Sequence, residues 1–351
     1  MSAISSKVLR IGSRSVLWRP REAVICVILL LCAFGFGIVL LGTGTLHYSP
    51  AEVLGALTRA GTGDASPAGQ VIWRIRLPRV LTALLVGASL GMAGAIFQSI
   101  SRNPLGSPDV IGFTTGAAAG AIAQIVLFNA GPLETALGAV IAGMGTAAAV
   151  FLLSRKRGAG GGYRLILVGI GFGAIMSGVN TVLLVKGDLD QAMSAQVWLA
   201  GSLNTRTWWH VLPAACGLAV IAPVAFWHAR RLSLMEMGDD IARQLGVRVE
   251  MTRLLTVLAA VGLTSIATAA AGPIAFIALA APQLARRLTR APALPLLSGA
   301  LMGGVLLLAA DLISQNAPFR LNMPIGLTTG MLGGLYMLWP LTRRHSGTTA
   351  I

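Results

Sequence analysis

The stretch that decides the fold is LLTVLAAVGLTSIATAAAGPIAFIALAAPQLA, residues 254–285. It is apolar throughout and carries no charged side chain. As one helix of 32 residues it would run about 48 Å at ~1.5 Å per residue, too long for a hydrocarbon layer of ~30 Å. Gly272-Pro273 interrupts it, and proline lacks the N–H a continuing helix needs and clashes with the preceding turn. The stretch therefore reads as two helices, 254–271 and 274–285, folded back on each other.

Eight further apolar runs flank it, at 23–43, 80–100, 110–128, 133–153, 165–185, 209–228, 293–313 and 324–341. With ten spans and the N-terminus in the cytoplasm, the inner segments hold 20 Lys or Arg and the outer segments 7. Fusing the two halves of 254–285 changes that to 16 and 11. Positive charge accumulates on the cytoplasmic side of membrane proteins, so ten spans are expected, with both termini inside. Trp209 and Trp227, 18 residues apart, would lie about 27 Å apart on a helix, the separation of the two interfaces. The expected organisation is a cytoplasmic tail at 1–22, a transmembrane domain at 23–343 and a second cytoplasmic tail at 344–351. The first apolar run is too long for a signal peptide and has no small-residue cleavage site after it, so it reads as a retained anchor.

Composition agrees. Of 351 residues, 55% are hydrophobic and 11% charged, against about a quarter charged in soluble domains. A soluble enzyme, a secreted disulfide domain and a disordered basic tail are excluded. The net charge of +15 does not indicate nucleic acid, because the arginines fall in short clusters between apolar runs and not on one face. Glycines four apart, such as Gly87/Gly91, Gly116/Gly120, Gly169/Gly173, Gly299/Gly303, Gly326/Gly330 and Gly330/Gly334, point to close helix packing.

Most catalytic chemistry is missing. There is no phosphate-binding Gly-Lys loop, no GxSxG and no His/Glu metal set. Cys26, Cys32 and Cys216 form no CxxC and read as packing residues. Apart from Glu134, the second residue of its run, only Asp311 among the acidic residues lies within an apolar run. A carrier driven by an ion gradient is expected to hold several ionisable groups at mid-membrane, so the energy source is expected to be another subunit.

Two features stand out. The longest inner segment, ARRLSLMEMGDDIARQLGVRVEMTR (229–253), holds a short amphipathic helix from Asp239 to Leu245, with Asp239 capping its start and Gly246 ending it. On spacing alone it is either a docking element or a loop that coils. Arg74, Arg76 and Arg79 stand before the second run, on the side where basic residues are disfavoured; they read as recognition of an acidic partner or as headgroup snorkelling.

RLPRVLTALLVGASLGMAGAIFQSISRNPLGSPDVIGFTTGAAAGA (76–121), GDDIARQLGV (238–247), GPIAFIALAAPQLARRL (272–288), LLAADLISQ (307–315) and LNMPIGLTTGMLGG (321–334) resemble, in this order, the iron-siderophore and vitamin B12 permeases of type II ABC importers. The resemblance implies an all-α polytopic fold of ten transmembrane helices in a compact bundle, two subunits per pore, in the bacterial cytoplasmic membrane. It implies that Gly238, Ala242, Arg243, Gln244, Leu245 and Gly246 sit in a cleft of a separate ATPase, which uses ATP and Mg while this chain binds no cofactor. It implies that Arg76 and Arg79 dock an extracytoplasmic binding protein. A third docking arginine of some members falls at Gln315, with Arg320 as the expected substitute, and the inner gate aligns with Gly162 and Tyr163. The motifs look most like permeases for ferric catecholate siderophores of the enterobactin type, whose pores pair two related permeases, so a heterodimer is preferred to a homodimer. Permeation of vitamin B12 or haem, a stand-alone secondary carrier and a siderophore exporter are the alternatives.

Overall fold

A computed structural model describes residues 7–11, 14–59, 66–109, 112–154, 161–290, 294–316 and 323–343. Strands β1 (Lys7–Ile11) and β2 (Arg14–Trp18) pair antiparallel, Lys7 opposite Trp18 and Ile11 opposite Arg14. The helices are α1 (Pro20–Gly42), α2 (Pro50–Arg59), α3 (Pro67–Val71), a π-helical turn (Ile72–Arg76), α4 (Leu77–Ser101), α5 (Phe113–Phe128), α6 (Pro132–Ser154) and α7 (Gly161–Lys186). They continue with α8 (Leu189–Leu199), α9 (Trp208–Glu236), α10 (Asp239–Gln244), α11 (Val249–Ala271), α12 (Ile277–Thr289), α13 (Leu296–Gln315) and α14 (Ile325–Arg343).

Each apolar run of the sequence coincides with a helix. Seven helices among the described residues are long and apolar enough to cross a membrane: α1, the continuous α3–π–α4 rod, α6, α7, α9, α11 and α13. α5 and the described apolar part of α14 are shorter, and α12 has 13 residues with two arginines in its last turn. At ~1.5 Å per residue α12 is about 20 Å long, less than a hydrocarbon layer. The interruption at Gly272-Pro273 is present. α11 ends at Ala271, and Gly272 takes φ +74°, a left-handed value that glycine adopts without a Cβ clash.

α4 is the axis of the bundle and is buried along most of its length. It touches α13 through the expected glycines. A Cβ on Gly87 would land in the backbone of Gly303, and one on Gly91 in the carbonyl of Gly299. Backbones can approach this closely only where neither helix carries a side chain. α11 and α12 pack on other faces of α4; the Gly94 position meets the carbonyl of Ala278 in α12. Not every glycine works this way: a Cβ on Gly330 or Gly334 of α14 would meet nothing within 4 Å.

Two large apolar clusters, with smaller ones beside them, fill the bundle among the described residues. One lies toward α10 and contains Phe97, Phe113, Leu232 and Leu263; the other lies toward the π turn and contains Leu40, Ile72, Val86, Leu307 and Ile325. Trp209 and Trp227, at 87% and 76% exposure, face outward from α9, as anchors in two interfaces would.

Candidate coupling and docking surfaces

At one end of the bundle α9 runs beyond its apolar part to Glu236 and turns through Met237 and Gly238 into α10. Gly238 has φ +128° and Gly246, past the end of α10, has φ +80°, so left-handed glycines flank the short helix on both sides. Ala242 faces inward and is fully buried, while Ile241, Arg243, Gln244, Leu245 and Gly246 are exposed. Met237, Ile241 and Leu245 are 62%, 43% and 58% exposed, three large apolar side chains at one end of a helical bundle.

The expected cap on α10 is different. The N-cap position is Gly238, with no side-chain cap bond, and Asp239 is the first helical residue. Its carboxylate is held elsewhere: Oδ2 accepts from a guanidinium nitrogen of Arg253 at 2.7 Å and Oδ1 from one of Arg102. Arg253 also meets Glu250 at 3.3 Å, and Arg286 of α12 pairs with Glu236 at 2.6 Å. These ion pairs had no signature in the sequence, where the same arginines counted only toward the charge of one side.

At the opposite end the π turn and the first turn of α4 carry the arginines expected to dock a partner. Arg74 is exposed. Arg76 donates to the carbonyls of Leu41 (2.7 Å) and Leu46 (2.5 Å), at and just beyond the end of α1, and its guanidinium lies 5.0 Å from the Tyr48 ring centre. Arg79 makes a bidentate bond to Asp311 of α13, at 2.6 and 3.1 Å, and a third to Asn204 Oδ1 at 2.8 Å. Gln315, where a further arginine was expected, donates to Asp311 as well, at 2.9 Å. Both arginines are thus engaged within the chain, each keeping part of its surface open. Arg320 lies outside the described residues. Gly162 and Tyr163 fall in the first turn of α7, where side chains lie outside the described set.

Between these ends, a cavity of about 270 Å³ is lined by Asp109, Thr114 and Thr115 near the start of α5, Asn180 of α7 and Pro273 to Ala275 in the α11–α12 break. Thr114 donates to Asp109 at 2.6 Å, and Asn180 donates to the carbonyl of Thr115 at 3.3 Å. No group of three or more His, Cys, Asp or Glu suited to a metal ion occurs among the described residues.

The FecCD transport family matches residues 27–343. The ferric enterobactin transport system permease protein FepG of Escherichia coli is 45% identical over 319 residues, covering 91% of this chain and 95% of that one. The hemin transport system permease protein HmuU of Yersinia pestis is 34% identical over 334 residues, covering 93% and 97%. The achromobactin transport system permease protein CbrC of Dickeya dadantii is 35% identical over 324 residues, with 90% of each covered. A solved inward-facing structure of the metal-chelate ABC transporter type superimposes with a TM-score of 0.81 at 28% identity, over 92% of this chain and 99% of that one.

Proposed function

Because the chain belongs to the FecCD transport family, a family of transport permease subunits and not of enzymes, we propose that it is the pore-forming subunit of an ATP-driven importer for ferric siderophores, with a catecholate of the enterobactin type as cargo. The cargo rests on the 45% identity to the ferric enterobactin permease. ATP and Mg are used by a separate ATPase. The observation that carries the coupling role is the exposed apolar group Met237, Ile241 and Leu245 around α10. Gly238 and Gly246 shape that loop, Ala242 seats it on the bundle, and Arg243, Gln244 and Leu245 meet the ATPase.

The working pore is a dimer, preferably with a related sister permease, and the ten helices span the bacterial inner membrane with both termini in the cytoplasm. α7 supports the dimer: it is apolar yet only 17% of its most apolar window is buried within the chain. Glycines on this helix and on α14 (Gly171, Gly178, Gly330 and Gly334) face open space, where another helix could approach. Gly162 and Tyr163 are the proposed inner gate. Arg76, Arg79 and Arg320 are the proposed contacts to the binding protein, whose acidic groups would share guanidiniums that already have internal partners. Such rim charges set encounter and register more than affinity.

The test is uptake of radiolabelled ferric enterobactin by a strain lacking this gene, with the chain restored alongside its ATPase and binding protein. Restored uptake supports the reading. Uptake of haem but not of the catecholate would move the cargo to the hemin class, and transport by the purified chain in vesicles without any ATPase would favour a secondary carrier.

A further inference from the structure

We propose that Asp239 is a positioning residue that makes α10 move as one body with α4 and α11; the inference rests on the coupling role proposed above. A six-residue helix does not hold itself together or fix its own orientation. α10 buries a single residue of its own, Ala242, and Val247 just beyond it. Both of its backbone joints are left-handed glycines, Gly238 and Gly246, which accept rotation more readily than any other residue. A push delivered to α10 through such joints would be absorbed as a swivel unless something else held the helix.

Asp239 supplies that hold. Its two carboxylate oxygens bond different guanidiniums, Arg102 on one side and Arg253 on the other. Arg253 lies in the first turns of α11 with its side chain only 4% exposed, so its charge has little recourse to water, and without Asp239 it would keep only the longer pair to Glu250, at 3.3 Å. Arg102 ends α4 in a left-handed conformation, φ +50°, and its Nε also donates to the carbonyl of Met235 in the last turn of α9 at 3.0 Å. One carboxylate therefore joins α10 to the ends of α4 and α11, and through Arg102 to α9. The neighbouring Asp240 provides an internal contrast: its side chain is 91% exposed and it pairs only with Arg243 of the same short helix, at 2.7 Å. Two adjacent aspartates thus differ in partners and exposure, and the charge-assisted geometry around the first is what a rigid linkage requires.

The experiment uses the full complex of permease, ATPase and binding protein in liposomes, reading ferric enterobactin moved per ATP hydrolysed. Asp239→Asn is expected to leave the ATPase bound and hydrolysing while that ratio falls about tenfold, within the usual range of coupling between sites. Asp239→Glu, which keeps the charge, should recover part of it. An unchanged ratio in Asp239→Asn overturns the proposal, and so does loss of ATPase binding, which would place Asp239 in the docking face instead. If Asp239→Asn fails to accumulate, Arg102→Gln loosens the same joint while Arg253 stays paired: a lowered ratio supports the proposal and an unchanged one overturns it. A wild-type complex that hydrolyses ATP and moves no ferric chelate overturns the cargo assignment alone. The role of Asp239 is then read from stimulation of hydrolysis by the binding protein, which Asp239→Asn should abolish if the linkage transmits motion and should leave intact if it does not.

Discussion

Arg79 and Asp311, 232 residues apart in the chain, form a bidentate ion pair that ties the first turn of α4 to the last turns of α13. Asp311 is fully buried, and Arg79 and Gln315 both donate to it. Asp311, placed within an apolar run, is therefore a structural counter-charge, and its carboxylate is engaged by Arg79 and Gln315. The pair lies about 12 Å along the two helices, at ~1.5 Å per residue, from the point where Gly87 and Gly303 bring them into backbone contact.

Asp311→Ala should destabilise the protein by about 3–5 kcal/mol, because it strands a partly buried guanidinium. The measurement is the thermal midpoint of the detergent-solubilised chain. Asp311→Asn, which keeps the shape and one acceptor, should lose less. A midpoint unchanged in the alanine variant would show that the pair holds nothing.

Gly303→Ala should cost about 1–3 kcal/mol through overpacking against the carbonyl of Gly87, while Gly334→Ala, in open space within the chain, should not destabilise the isolated subunit. If α14 faces a sister permease, Gly334→Leu should impair dimer recovery on co-purification without lowering the stability of the monomer. Equal effects at the two positions would contradict the packing.

Arg243→Glu combined with Leu245→Asp should abolish uptake and ATPase co-purification while the protein remains in the membrane, since both side chains are exposed and Leu245 contributes apolar surface to the α10 face. Normal co-purification with the double variant would remove α10 from the ATPase contact.

Arg76→Glu with Arg79→Glu should weaken docking of the binding protein, most at low ionic strength, where rim charges act over the longest range. Because both arginines also have internal partners, the double variant should lose stability as well. Arg74→Glu, exposed and adjacent, separates the two effects. Weakened docking with an unchanged melting midpoint in Arg74→Glu would assign the outer charge itself to recognition.

Much of the architecture was legible along the chain. The apolar runs, the break at Gly272-Pro273, the close helix packing at Gly87 and Gly91 and the short helix in the 229–253 loop all rest on local patterns; that the partner of those glycines is α13 does not. Less legible were the elements with weaker signals: the hairpin of β1 and β2, α2, α8 and the π turn. α8 is announced only by Asp188 and Gln191, a capping box that spacing alone could have flagged. α12 is shorter than a full span: its 13 residues present an apolar and a polar face and do not fill a bilayer.

The sequence by itself determined that this is a polytopic membrane chain of the iron-chelate permease family. Apolar length, proline placement and the distribution of arginine are properties of consecutive residues, and bilayer thickness reads them directly. Only the tertiary structure decided which charges meet. Arg102 lies 137 residues from Asp239 and Arg79 lies 232 from Asp311. In sequence each of these arginines is the same unit of positive charge, and what distinguishes them is the dielectric and the partner that packing supplies. An ion pair is a relation between distant residues in a shared, water-poor space, so it is fixed by the bundle that brings them together.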